Sequence, residues 1–259
     1  RMHLFGSVLA LSYRVLLSSV WTYLEVTRLT THRLHINSTL HNTTSMTRKL
    51  FSKIDTWVFD LDQTLYPVEM GLFDQIEIKM TNFIVRTLKV SQTEANDLRA
   101  KYWGKYGTTL AGLMKHHAVE PEPYLREVHD ISFVSLEADP LLRDRIANLP
   151  GRKIVYTNGS KPYAEKVLQA RGLNALFDDI FGIEHADYAP KPNIEAYRIV
   201  FRKAGLVPEK SAMFEDDCRN LKVPHSLGMR TVHVAPTSSP APHIMHHTDD
   251  ISAFLAKLS

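Results

Sequence analysis

This chain of 259 residues contains a single cysteine, Cys218, so it can form no intrachain disulfide, and a reducing compartment suits it. Its formal net charge is only +3, too small to argue for a nucleic-acid partner. Acids are nearly missing from residues 1–54, where Glu25 stands alone against several Arg and Lys, so the rest of the chain is close to neutral or acidic. The one long apolar stretch, Leu4 to Val26, is interrupted by Arg14 and Glu25, and an arginine near the middle of a span is costly in a bilayer. There is no internal repeat and no long low-complexity segment. What remains is ordinary globular composition, 44% hydrophobic and 23% charged. The length accommodates a core plus an insertion or a tail.

Residues 1–45 differ from the rest. Ser, Thr, His and Arg dominate from Thr27 to Met46. Three readings compete: a membrane or signal anchor, an organelle transit peptide that is Arg/Ser/Thr-rich and acid-poor, and an extension outside the fold with Met46 as the natural start. The last is favoured, with a cytoplasmic location for the folded body and no membrane contact. The first two would make the protein membrane-anchored or organelle-targeted. The sequons at Asn37 and Asn42 read as chance in a Thr-rich segment.

The most informative stretch is Trp57 to Tyr66. Residues 54–59 are mostly apolar and β-favouring, and they read as a buried strand. Asp60 and Asp62 follow directly, with Thr64 beyond. Residues two apart on a strand point the same way, so both carboxylates can reach one site as the strand ends. Two carboxylates held close repel unless a cation lies between them or one is protonated. One can then bind Mg²⁺ and attack phosphorus while the other moves a proton.

After Asp62 the pattern turns helical. Ile76, Met80, Phe83, Ile84 and Leu88 recur at spacings of three and four, or close to them. Ser91 with Glu94 is a capping box that opens a helix to about Tyr106, stopped by Gly107. Further helices are expected over Thr109–His117 and Pro123–Val128. No strand is expected between Asp62 and Arg152, which makes residues 67–135 an all-helical insertion. From Pro150 onward, strands at Lys153–Thr157, Ile180–Ile183, Ser211–Phe214 and Thr231–Val234 alternate with helices at Ser160–Arg171, Asn193–Ala204 and Asp249–Leu258. This alternation predicts an α/β fold with a doubly wound parallel sheet. The core would comprise residues 46–66 and 136–259.

Four polar groups fall beside predicted strand ends or helix starts: Asp60 and Asp62; Thr157-Asn158-Gly159; Lys191 between Pro190 and Pro192; and Glu215-Asp216-Asp217. In a doubly wound sheet they converge on one crevice beyond the strands' carboxyl ends. Each alone is weak, since Asp-x-Asp can cap a helix and Thr-Asn-Gly can make a turn. The pairs His116-His117 and His246-His247 lack metal-ligand spacing for one helix face and read as surface or packing residues. Cys218 has no activating partner and reads as a small buried residue. Tyr102, Trp103 and Tyr106 sit at helical spacing, with packing favoured over base stacking.

In order and spacing these motifs resemble those of the haloacid dehalogenase superfamily of phosphatases, over about residues 54–235. Further stretches resemble its bacterial pyrimidine 5′-nucleotidase branch: LDQTLYP from Leu61, YGTTLAGLMKHH from Tyr106, VHDI from Val128, LPGRKIVYTN from Leu149, PKP from Pro190 and MFEDDCRNLKVPHSLGM from Met213. The resemblance implies a Rossmann-like core with a helical cap. It implies Asp60 as a nucleophile forming an aspartyl-phosphate and Asp62 as the acid and then the base. Thr157, Lys191 and nearby backbone N–H groups, around Thr64, Asn158 and Gly159, would hold the phosphoryl oxygens. Mg²⁺ would rest on Asp60, the Asp62 carbonyl and Asp216, with Glu215 acting through water. Asp217 departs from the small or apolar residue expected there, which leaves the direct carboxylate ligand open. Tyr66, His129 and the Tyr102–Tyr106 stretch are candidates for reading a nucleoside. The implied activity is Mg²⁺-dependent hydrolysis of a small phosphomonoester, a pyrimidine nucleoside 5′-monophosphate first. A sugar-phosphate phosphatase, a phosphomutase and a non-catalytic binding protein are the alternatives.

Overall fold

The computed structural model describes residues 44–237 and 240–258; the readings made for residues 1–43 lie outside them. All the elements below belong to one compact unit, Phe51–Ser259. Six strands build it: β1 (Thr56–Phe59), β2 (Arg152–Tyr156), β3 (Asp179–Phe181), β4 (Ser211–Glu215), β5 (Arg230–Val234) and β6 (His246–Thr248). They form one sheet in the order β3-β2-β1-β4-β5-β6, and every pair is parallel. This is the expected α/β, doubly wound sheet. The strand order reverses at β1, which is where such sheets open a crevice.

The two central strands, β1 and β4, are buried along their whole length because both faces are covered. Alternate residues feed two cores: Trp57, Phe59, Val155 and Phe214 pack on one face, and Val58, Ile154, Tyr156 and Met213 on the other. Phe59 stacks on Phe214 with ring centroids 4.9 Å apart. The register sets Phe59 level with Val155 and Phe214, so the next residues, Asp60, Tyr156 and Glu215, emerge together at the sheet's rim.

Between β1 and β2 the α-helices are α1 (Leu72–Leu88), α2 (Gln92–Tyr106), α3 (Thr109–His117), α4 (Pro121–Val128) and α5 (Pro140–Ala147). The first four fill the stretch read as an all-helical insertion. Ser91 makes the expected capping box with Glu94 at the start of α2. At the end of α2, Gly107 sits at φ +89°, and a Cβ there would lie 2.6 Å from the Lys191 carbonyl oxygen. Only glycine allows the helical segment to approach the lysine loop so closely.

The remaining helices are α6 (Lys161–Ala170), α7 (Ile194–Ala204), α8 (Lys222–Ser226) and α9 (Ile251–Leu255). Three elements, α5, α8 and β6, depart from expectation. The sequence pattern predicts no helix at α5 or α8. Asp139 caps α5 through the Leu142 N–H and Pro140 opens it, while α8 is only five residues long. Strand β6 falls on His246 and His247, read as surface or packing residues. It is an edge strand of three residues, too short to show alternation, and its His246 ring packs against Phe51 and Phe254. Among the described residues no helix is long and apolar enough to cross a membrane.

Candidate active site

The four polar groups meet. Asp60, Asp62, Thr157, Lys191, Glu215 and Asp216 all line one cavity of about 540 Å³, within the ~300–1,000 Å³ usual for small-ligand sites. Its floor is the carboxyl end of the sheet, and α1–α4 supply the opposite wall.

Lys191 lies at the centre, about 1% exposed. Its Nζ donates to Asp60 Oδ1 at 2.6 Å, Glu215 Oε2 at 2.7 Å and the Tyr156 carbonyl at 3.0 Å. An ammonium has three N–H donors, so all of them are engaged by protein. The lysine expected on the phosphoryl oxygens is thus, in this state, the counter-ion of two carboxylates. Burial alone disfavours its charge, yet Asp60 and Glu215 hold its pKa well above the ordinary lysine value.

Carboxylate oxygens of Asp60, Glu215 and Asp216 lie within 4.8 Å of one another. Three carboxylates against one ammonium leave a buried excess of negative charge. Asp60 is pushed up to about 7 by burial and then by the Glu215 charge, against the pull of Lys191. Asp216 is held well above the carboxylate range by burial and by Glu215 and Asp60. Hard oxygen donors with surplus negative charge are the setting a divalent cation such as Mg²⁺ satisfies, so the donor set fits the ion. Asp217 stands apart from this cluster. Its carboxylate caps Arg219 N at 3.0 Å and pairs with the Arg219 guanidinium. Burial alone would raise its pKa, but those hydrogen bonds bring it below the usual range. The choice left open among the acids therefore narrows to Glu215 and Asp216. Glu215 in turn is shared between Lys191 and the Asn220 amide, 3.1 Å away.

Asp62 has different company. Tyr66 and Tyr163 each donate a hydroxyl hydrogen bond of 2.7 Å to its Oδ1. Burial and the Asp60 charge push it up to about 6, while the two tyrosines hold it down. Two carboxylates two residues apart thus carry separate environments. One belongs to a charged cluster and the other to a neutral pair of phenols.

Several expected ligand contacts fall elsewhere. Tyr66 does not line the cavity; it is 2% exposed and committed to Asp62. Thr64 is also off the cavity, buried with its hydroxyl unpartnered. Asn158 lines the cavity, but its amide brackets the Lys191 backbone, accepting from N at 2.8 Å and donating to O at 3.2 Å. The Gly159 N–H donates to Thr157 Oγ1 at 2.9 Å, so that amide is already engaged. His129 lines the cavity, hydrogen-bonds Ser160 at 3.0 Å and stacks on Tyr163 with centroids 4.3 Å apart. Of the aromatic stretch only Trp103 faces the cavity. Tyr102 and Tyr106 hydrogen-bond His117 and His116, as packing residues do.

Tyr163, Asn220 and Arg219 were not singled out from sequence. Tyr163 lies 101 positions from Asp62, on a helix whose period marks it only as core. Arg219 reaches across to the helical wall, its guanidinium 3.8 Å over the Trp103 ring.

The fold and site define a hydrolase with a carboxylate pair at the end of the first strand. Residues 54–228 match the haloacid dehalogenase-like hydrolase family, and the chain belongs to it. Phosphate metabolism protein 8 of Saccharomyces cerevisiae is 26% identical over 187 residues, covering 66% of this chain and 58% of that protein. The chain thus spans little more than half of that relative's length. Two solved structures share the fold. CbbY from Rhodobacter sphaeroides, in complex with phosphate, has a TM-score of 0.57 at 18% identity, covering 79% of this chain and 99% of its own. The HAD-hydrolase YfnB from Bacillus subtilis, bound to magnesium, has a TM-score of 0.51 at 19% identity, covering 79% and 98%.

Proposed function

We propose that this chain is a Mg²⁺-dependent phosphomonoesterase that works through an aspartyl-phosphate on Asp60, with pyrimidine nucleoside 5′-monophosphates as its substrates. The observation that carries the reading is the division of labour between Asp60 and Asp62. Asp60 is pushed up to about 7 by burial and the Glu215 charge, and a cation held by the same cluster would reverse that and leave it the ionised nucleophile. Asp62, with a pKa pushed up to about 6, suits a group that gives and takes a proton near neutrality.

In the first step an Asp60 oxygen bonds to phosphorus, the ester P–O bond breaks, and the Asp62 proton passes to the leaving oxygen. In the second, Asp62 takes a proton from water as the water oxygen bonds to phosphorus. The acyl phosphate bond then breaks, returning the Asp60 carboxylate and releasing inorganic phosphate. Asp60, the Asp62 carbonyl and Asp216 would hold Mg²⁺, with Glu215 beside them. The ion would supply charge neutralisation for the phosphoryl oxygens. Thr157, whose hydroxyl can still donate after accepting from Gly159, would bind one of those oxygens. Lys191 would move from Asp60 to another as the nucleophile is consumed.

The helical segment α1–α4 would act as a cap that excludes water and bulky esters, which favours small substrates over phosphoproteins. The conversion of phosphorylated nucleotides and the sole cysteine support a cytosolic setting.

The test is phosphate release, with and without Mg²⁺, from pyrimidine and purine 5′-monophosphates and sugar phosphates. Uridine and cytidine monophosphate should be preferred, and turnover should vanish on chelation and in Asp60→Asn. Substantial turnover by Asp60→Asn would sink the mechanism. A preference for sugar phosphates would keep the mechanism and overturn the substrate.

A further inference from the structure

The cavity extends beyond the acids into the helical wall. That wall is largely apolar, made by Phe73, Ile76, Met80, Leu110, Leu125 and Val128. Among them stand polar residues the chemistry does not use. Thr108 and Thr109 are committed locally, to Ala111 N and the Arg99 carbonyl. Glu77, Arg99 and Tyr124 remain.

Arg99 on α2 makes a short ion pair with Glu77 on α1. Tyr124 on α4 is 2% exposed, its ring edge-on to Phe83 at 4.9 Å. The Tyr124 hydroxyl and Arg99 Nε are both buried without a hydrogen-bond partner. Buried donors are rarely left unmade. The two groups sense each other: burial raises the phenol, and the Arg99 charge acts in the opposite direction. Two unmade donors in the wall of a cavity call for an acceptor brought by a ligand. Glu77 already neutralises Arg99, so a second anion is not what the pair requires. A neutral carbonyl oxygen is, and the flanking apolar side chains suit a flat ring that carries it.

We infer that Glu77, Arg99 and Tyr124 form a head-group subsite that takes a neutral, flat group through its carbonyl oxygen. Arg99 and Tyr124 donate, and the Glu77 carboxylate accepts an N–H from the same edge. The chemical class is a cyclic amide or urea, such as a pyrimidine base. The subsite rests on the proposed phosphatase reading only for its orientation, with the phosphate at Asp60 and the head group at the wall.

The test separates the two by using uridine, which carries no phosphate. Binding of uridine to the full chain is measured by calorimetry or ligand-observed NMR, with ribose as the control. Tyr124→Phe removes only the hydroxyl. Arg99→Lys keeps the charge facing Glu77 but loses Nε, and it carries the test if the first variant fails to fold. Uridine should bind and ribose should not, and each variant should weaken uridine about fivefold, the equivalent of one ordinary hydrogen bond, with an unchanged far-ultraviolet CD spectrum. No binding of uridine, or equal affinity in wild type and both variants, would overturn the inference. Uridine binding that depends on Tyr124, in a protein that releases no phosphate from any ester, would sustain the subsite and refute the phosphatase.

Discussion

At the scale of single residues, Asp62 is the group whose behaviour its neighbours decide most directly. Burial and the Asp60 charge favour its neutral form, and the hydroxyls of Tyr66 and Tyr163 favour its charged form. The proposed first step needs Asp62 protonated, so kcat/KM should fall as pH rises through its pKa. Tyr163→Phe removes one hydrogen bond to the carboxylate and so raises that pKa. The alkaline limb of the kcat/KM profile should move up by about one pH unit. Because kcat/KM reports the free enzyme, an unmoved limb would mean Asp62 is not the acid. The same scale explains why Asp217 is not interchangeable with Asp216. Both follow the same strand, but Arg219 occupies the Asp217 carboxylate.

At the scale of elements, the packing of α2 on α3 turns on Gly112. A Cβ added there would fall inside the Tyr102 ring. Helix propensity favours alanine over glycine by about 1 kcal/mol, whereas overpacking a tight contact costs about 1–3 kcal/mol. Sterics should prevail, since the clash is with the root of the ring and not its flexible end. Gly112→Ala should lose about 1–2 kcal/mol in urea unfolding, and a variant as stable as wild type would show that the two helices can part freely. Local signals served well for elements whose ends are written in sequence. Ser91 and Glu94 mark the start of α2, and Asn193 caps α7 through Glu195 N. They served less well for α5, where the Asp139-Pro140 start signal was present but the apolar face amounts to Leu142 and Ile146. They could not serve for β6, whose three residues gain their strand character from pairing with Val232–Val234.

At the scale of the whole molecule, His129 joins the helical wall to helix α6. It follows α4, bonds Ser160 at the start of α6, and stacks on Tyr163. Burial, and then the charge of Lys166, lower its pKa to about 3. The unfolded chain takes up this proton near pH 6.5, while the folded protein resists it. Stability is therefore lost as pH falls below about 6.5, by at most ~1.4 kcal/mol per pH unit. The ring is not wholly enclosed, so about 1 kcal/mol between pH 7.5 and 5.5 is the expected share. Urea unfolding at those two pH values should show wild type losing that much more than His129→Gln. Equal losses would mean the ring is freely hydrated.

The order of strands and helices, and the polar groups at their ends, were legible along the chain. Each is local: a β-favouring run, a cap, a glycine stop, and the rule that sites lie beyond the carboxyl ends of parallel strands. Asp60, Asp62, Thr157, Lys191, Glu215 and Asp216 could all be named on that basis, and they do line one cavity. What each of them touches was not legible. Lys191 reaches Asp60 across 131 positions and Tyr163 reaches Asp62 across 101. The unmade donors of Arg99 and Tyr124 exist only because separate helices bury them together. Hydrogen bonding and desolvation depend on neighbours in space, and folding alone chooses those neighbours. Tyr66 shows the difference most simply. Its place beside the acids invited the reading of a ligand contact, and tertiary packing turned it inward to hold Asp62.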